Sequence, residues 1–281
     1  KLGPTYNSVD ELYDCPPHYD VFIAGSDQLW NPAQTYAIEP YFLTFDTGKG
    51  KKISYATSIG LTELTGKEKQ DFKRWLSSFD ALSVREKQAK ELLDTFVGKD
   101  VTQVLDPTFL LCGEEWKELA VMPEINEDYI LYFALMVNPC VLESCLNLSK
   151  ASGKKLIVLN QCLTENADNE YLSVTDAGPR EFLGYIYKAN LVITDSFHGT
   201  VFSIIMQAHN FFTYILPGNQ RGSRIEDLLE TFDLGNHLLR EVGQWKCESF
   251  LENLPDYGCI NNIIESERQH SHDFLMKAIT V

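Results

Sequence analysis

The sequence predicts an α/β protein made of two successive doubly wound domains. Three observations carry that expectation. Short β-rich runs alternate with helical patterns almost throughout, as in β-α units on a parallel sheet. The alternation breaks and restarts around an acidic stretch from Glu114 to Asp128 that contains Pro123. The 281 residues are close to twice a common domain length of roughly 150.

In the first half, Asp20 to Ala24 reads as a strand ending on the turn Gly25-Ser-Asp27, and Lys52 to Thr57 as a second strand. Phe72, Trp75, Leu76 and Phe79 form one apolar face of a helix from Lys67 to Phe79. Ala81 to Arg85 is a third strand, Glu86 to Phe96 a helix, Val101 to Val104 a fourth strand and Asp106-Pro107 a turn. In the second half, Tyr129 to Leu135, Lys155 to Leu159, Leu191 to Thr194 and Phe211 to Leu216 read as strands. Helices are expected over Val141 to Ser152, Pro179 to Ala189, Gly199 to Ala208 and Arg224 to Phe232, with a closing helix over Ile260 to Ile279. The boundaries that follow are 1–122, 123–258 and a C-terminal helix over 259–281.

Composition narrows the function classes. Hydrophobic residues are 44% and charged residues 23%, which excludes a disordered or fibrous chain. The excess of 40 Asp and Glu over 24 Lys and Arg gives −16, so no nucleic acid or anionic membrane surface is expected as a partner. An anion would have to bind in a local basic pocket. Seven cysteines without a CxxC pair fit reduced thiols in a cytoplasmic protein and give no metal site. The most apolar stretch, Val201 to Leu216, is broken by Gln207, His209 and Asn210, so a membrane span is not expected. Gly60 and Gly66-Lys67 fail as a phosphate loop, because the glycine spacing is wrong and Glu68 stands where Ser or Thr should hold magnesium.

Four turns at strand ends hold the chemistry-bearing residues, at the edge where open α/β sheets bind ligands. The densest runs from Leu191 to Ser203, where Asp195, Ser196 and His198 crowd the step from strand to helix. A helix start there directs N–H groups at a phosphate or carboxylate, and a histidine such as His198 can take up or give a proton near neutral pH. Equally, Ser196 or Asp195 is a helix cap and His198 a satisfied buried imidazole. The turn Gly25 to Pro32 offers Asp27, Gln28 and Asn31 as polar handles and Trp30 as a stacking face, although turn chemistry alone accounts for Gly-Ser-Asp. Arg85 at a strand end suits bidentate contact with an anion, or an ion pair with a neighbouring Glu. The loop from Gly218 to Arg224 brings Arg221 and Arg224 to a helix start.

Taken in order, Gly25-Ser-Asp-Gln-Leu-Trp-Asn31, Ser83-Val-Arg-Glu86, Leu105-Asp-Pro107, Gly178-Pro-Arg-Glu-Phe182 and Thr194-Asp-Ser-Phe-His-Gly199 resemble the polysaccharide pyruvyl transferase family. The resemblance implies two Rossmann-like domains facing a cleft, a glycosyltransferase-B-like arrangement, with the C-terminal helix packing back on the first domain. It also implies a cytoplasmic enzyme of bacterial exopolysaccharide synthesis. Such an enzyme moves a pyruvyl group from phosphoenolpyruvate to a sugar or lipid-linked glycan, forming a ketal, with no cofactor or metal.

On that resemblance His198 is expected as general acid, and Asp27 and Asp195 as bases. Arg85, Ser196, Gly199, Thr200, Arg221 and Arg224 are expected on the anionic donor, and Gln28, Trp30 and Asn31 on the acceptor. Two departures stand out. Ser196 occupies a position where sugar-pyruvylating members commonly carry arginine, and the first motif comes so early that the family's opening strand unit is expected to be missing. A nucleotide-sugar glycosyltransferase and an inactive glycan- or anion-binding module are the other readings.

Overall fold

The computed structural model of the chain describes residues 3–33, 39–159, 170–216, 222–241, 250 and 253–280. The chain forms two compact units, Lys1–Leu110 with Glu265–Val281, and Leu111–Ile264. The division thus comes earlier than the expected 122/123 boundary, and the last part of the C-terminal helix belongs with the first unit.

In the first unit, β1 (Val21–Ala24) pairs in parallel with β2 (Lys51–Ser54), and β3 (Leu82–Val84) with β4 (Val101–Gln103). Parallel bridges from Ile53 to Ala81 and from Thr57 to Val84 set β2 beside β3. Helix α1 (Val9–Asp14) precedes β1. Helix α2 (Gly66–Leu76) begins in a capping box, in which Thr65 accepts from the N–H of Glu68 and the Glu68 carboxylate accepts from the N–H of Thr65. It buries Phe72 and Leu76, as the apolar spacing requires. Helix α3 (Lys87–Asp94) covers β3 and β4 with Ala89 and Leu93.

The second unit is the longer construction. Helix α4 (Gly113–Leu119) opens it, running into the acidic stretch around which the alternation breaks. The acidic composition hides a reciprocal cap between Cys112 and Glu115, and Trp116 packs edge-on against Phe202 at 5.1 Å. Strands β5 (Tyr129–Phe133), β6 (Lys155–Leu159), β7 (Leu172–Val174), β8 (Leu191–Thr194), β9 (Phe211–Tyr214) and β10 (Leu238–Leu239) form one parallel sheet in the order β10-β9-β8-β5-β6-β7. From β5 the chain winds outward to β7, then returns to lay β8 on the other side of β5. That reversal is the topological switch point of a Rossmann-type sheet. Strands β5, β8 and β9 are buried on both faces, hence their continuous apolar runs in the sequence.

The connecting helices are α5 (Pro139–Ser152), α6 (Pro179–Lys188), α7 (Phe197–Ile205) and α8 (Ser223–Thr231), followed by α9 (Tyr257–Thr280). Within the first unit, α9 is held by Leu105 N–H donating to Ser271 Oγ at 2.9 Å and by Arg268 Nε donating to the Phe109 carbonyl at 2.6 Å. Among the described residues no helix is long and apolar enough to cross a membrane.

Candidate functional site

In the second unit a cavity of about 440 Å³ opens at the carboxyl ends of the strands around the β5/β8 switch point. Phe133, Ala134 and Leu135 line it from the end of β5, and Ser196 and His198 from the turn after β8. Gly178 and Pro179 add a second helix start, so the N-termini of α6 and α7 open on one cavity. Each supplies partial positive charge there, which favours an anion. The remaining wall is apolar and includes Leu159, Val174 and Phe182.

Each part of the α7 start follows from its side chains. Ser196 is the N-cap, its Oγ accepting the N–H of Gly199 at 3.2 Å while its own N–H donates to Thr194 Oγ1 at 3.0 Å. A Cβ on Gly199 would meet Thr194 Oγ1 at 2.5 Å and Phe133 Cδ1 at 3.1 Å, so glycine is what lets α7 lie against β8 and β5. Thr200 donates its N–H to the Ser196 carbonyl at 3.0 Å, and its hydroxyl bonds Thr213 at 2.6 Å. The N–H groups of Gly199 and Thr200 therefore serve the helix cap and the first helical turn. This corrects their expected role as donors to an anion.

His198 lies in the first turn of α7, half-buried and edge-on to Phe197 with ring centroids 5.3 Å apart. The Arg224 guanidinium lies over the Phe197 ring, 5.7 Å from its centroid. A cation is thus stacked beside the turn that carries His198. Arg221, expected with it, lies outside the described residues. Asp195 is half-buried. Its Oδ1 accepts the N–H of Leu135 at 2.9 Å. Burial pushes its carboxyl above the usual range, outweighing the hydrogen bonds that pull it down.

The first unit gathers different residues. Arg85 donates from Nε to Glu86 at 2.9 Å, from Nη1 to Asp106 at 2.8 Å and from Nη2 to Asp27 at 3.0 Å. Burial alone would lower its pKa, but Glu86 and Asp106 more than offset that and hold it above the ordinary value. Its side chain is 1% exposed, and one guanidinium among three carboxylates leaves a net negative cluster. The expected donor-anion contact by Arg85 is therefore corrected: the guanidinium joins the turns after β1, β3 and β4. Asp27 has φ +55 and a side chain 66% exposed, so it keeps an accessible carboxylate at the strand end.

The expected acceptor contacts also change. Trp30 is 0% exposed, stacked on Phe42 at 5.0 Å, with Nε1 donating to the Tyr41 carbonyl at 3.2 Å. Its large apolar ring is worth more in the core than on a surface, so it offers no stacking face. Gln28 and Asn31 are buried too, and Asn31 Nδ2 donates to Gln28 Oε1 at 3.0 Å. Gly60 fits beneath them; a Cβ there would meet Gln28 at 2.8 Å and Asn31 at 3.1 Å.

Sequence reasoning did not single out Phe133, Ala134, Leu135, Gly178 and Pro179 as cavity residues. The Gly178-Pro179 pair was the available signal, since proline favours the first helical position and marks a helix start. Among the described residues no group of His, Cys, Asp or Glu side chains is arranged to hold a metal ion.

A family model described as polysaccharide pyruvyl transferase matches residues 3–212. No curated protein matches the sequence. Among solved structures, the chain is similar to a protein from Listeria monocytogenes provisionally assigned as a UDP-N-acetylglucosamine 2-epimerase, with TM-score 0.53 and 14% identity over 90% of this chain and 75% of that one. It is also matched by the glycosyltransferase of kitacinnamycin, with TM-score 0.47 and 11% identity over 94% of this chain and 74% of that one. The first likeness concerns fold alone and agrees with the α/β, glycosyltransferase-B-like class.

Proposed function

Because the chain belongs to the polysaccharide pyruvyl transferase family, we propose that it moves a pyruvyl group from phosphoenolpyruvate onto two hydroxyls of a sugar in a polysaccharide or its lipid-linked precursor, in the cytoplasm. The observation that carries the reading is the switch-point cavity, where His198 shares one wall with two helix starts. Phosphoenolpyruvate is a small dianionic or trianionic ligand, and helix starts with Arg224 nearby supply the positive potential that the rest of this acidic chain lacks.

His198 delivers a proton to the donor's methylene carbon, which makes the central carbon electrophilic. One sugar hydroxyl adds to that carbon and loses its proton. The second hydroxyl then displaces phosphate and loses its proton in turn, closing a cyclic ketal; phosphate carries one of the two protons away. Asp195 fits poorly as the base for the acceptor hydroxyl, because its Oδ1 already accepts the N–H of Leu135. No step calls on a cofactor or metal.

The strand order around the cavity also favours a second reading, a nucleotide-sugar transferase, since this sheet reversal suits a nucleotide. Thermal unfolding of the full chain separates the two. Phosphoenolpyruvate is expected to raise the melting temperature saturably, because a ligand of the native state alone stabilises it. Saturable stabilisation by a uridine nucleotide, with none by phosphoenolpyruvate, would overturn the pyruvyl reading.

A further inference from the structure

A series of aromatic rings leads from α4 to the wall of the switch-point cavity. Phe133 and Phe182 both line the cavity and meet edge-on, with ring centroids 4.8 Å apart. Behind them the contact continues away from the cavity, from Phe182 to Phe202 of α7 at 5.9 Å and from Phe202 to Trp116 of α4 at 5.1 Å, both T-shaped. Each ring meets the next edge to face, an arrangement that aromatic quadrupoles favour. Neither Trp116 nor Phe202 lines the cavity.

Polar and backbone contacts tie α4 to the same two helices. Arg180, in the first turn of α6, donates from Nε to the carbonyl of Leu119, the last residue of α4, at 2.7 Å. The Arg180 carbonyl accepts the N–H of Val121 at 2.9 Å. A Cβ on Gly113 would meet the Ile205 carbonyl at 2.5 Å, and one on Gly184 would overlap the Val121 carbonyl. Glycine therefore lets the start of α4 press on the end of α7, and the chain just past α4 press on α6. These are the helices whose starts open on the cavity. At α7 that start is held to β8 by the contacts of Ser196 and Gly199 with Thr194. The start of α6 is tied to α4 directly by Arg180, and by Phe182 through Phe202. Both residues belong to the motif Gly178-Pro-Arg-Glu-Phe182.

We infer that α4 sets the α6 wall of the cavity, with Trp116 and Arg180 as positioning residues that act through Phe182 rather than on a ligand. A close-packed interior passes a displacement on, because a vacated ring leaves its neighbour without contact atoms on one side. Removing the Trp116 ring lets Phe202 turn into the space and Phe182 follow it. A phenylalanine at position 116 keeps a ring against Phe202. The consequence for ligand binding rests on the proposed function above, whereas the placement of Phe182 does not.

The test uses Trp116→Ala, Trp116→Phe and Arg180→Ala in the full chain, with two readouts. The first is fluorine NMR of protein labelled with 4-fluorophenylalanine, in which Phe182→Leu identifies the Phe182 resonance. That resonance is expected to shift in Trp116→Ala and to stay in place in Trp116→Phe. Trp116 is two ring contacts away from Phe182, so a shift reports a displaced Phe182 ring. Trp116→Leu gives the same reading if Trp116→Ala does not fold. The second readout is steady-state kinetics. KM for phosphoenolpyruvate is expected to rise by about tenfold in Trp116→Ala and about threefold in Arg180→Ala, with kcat retained because His198 stays on α7. An unmoved Phe182 resonance in folded Trp116→Ala or Trp116→Leu overturns the inference. So does a Trp116→Ala enzyme that loses kcat at unchanged KM, since the change would then lie in the chemistry and not in the cavity wall. A Trp116→Phe enzyme as impaired as Trp116→Ala overturns it too. If the wild type does not bind phosphoenolpyruvate, the donor reading falls alone and the fluorine signal still decides whether α4 places Phe182.

Discussion

Arg85 Nη1 donates to Asp106 Oδ2 at 2.8 Å, joining the turns after β3 and β4 across 21 positions of sequence. The same guanidinium holds Glu86 and Asp27, so the turns that carry the first three sequence motifs are tied by one side chain. Arg85→Met would strand the buried carboxylates of Glu86 and Asp106, and breaking a buried pair from one side costs about 3–5 kcal/mol. Arg85→Lys is expected to recover only part of this, because an ammonium cannot reproduce the three-way fork. Asp27→Asn should cost under about 1 kcal/mol, since that carboxylate is mostly solvated. Denaturant unfolding checks the order; a mild Arg85→Met would contradict the clasp.

Gly199 tests the packing at the start of α7. A methyl group there collides with Thr194 Oγ1, which also receives the Ser196 N–H, so Gly199→Ala displaces the cap beside His198. The expected loss is about 1–3 kcal/mol by chemical denaturation, together with weaker donor binding. Undiminished stability and binding would mean that β8 and α7 separate more readily than their contacts indicate.

His237 gives the fold a defined acid limit. It is buried between Phe211 and Phe212, and because a carbonyl can only accept, its Nδ1 carries the hydrogen donated to Phe211 O at 2.7 Å. Burial lowers its pKa below the ordinary 6.5, outweighing that bond. The unfolded chain therefore binds the proton more readily than the native one. The contribution is complete above the unfolded value and is lost as pH falls through the lower, native value. Stability measured from about pH 7 down to about pH 5 should fall more steeply in the wild type than in His237→Gln. Equal slopes would place the acid-sensitive group elsewhere.

The repeating units were legible because their signals are local. Helix α2 follows from the spacing of Phe72, Trp75 and Leu76, and the buried strands of the second unit from unbroken apolar runs. Strands β7 and β10 escaped because they span only Leu172–Val174 and Leu238–Leu239. Helix α4 was masked by acidic residues that cap and solvate it.

The site was legible as a set of turns and not as a set of roles. His198 and Ser196 do line the cavity, whereas Arg85 and Trp30 were assigned by what their side chains can do rather than by what surrounds them. Their surroundings come from distant sequence: Asp27 is 58 positions from Arg85, and Leu135 is 60 positions from Asp195. No periodicity reports pairings of that range.

The most direct test of the proposed activity is transfer of labelled pyruvate from phosphoenolpyruvate to a panel of sugar acceptors, by the wild type and by His198→Ala. The wild type is expected to form an acid-labile ketal and release one phosphate per pyruvyl group. His198→Ala is expected to lose at least about 100-fold in rate with an unchanged melting temperature, as removal of a general acid requires. Full transfer by a folded His198→Ala protein would contradict the assignment of His198.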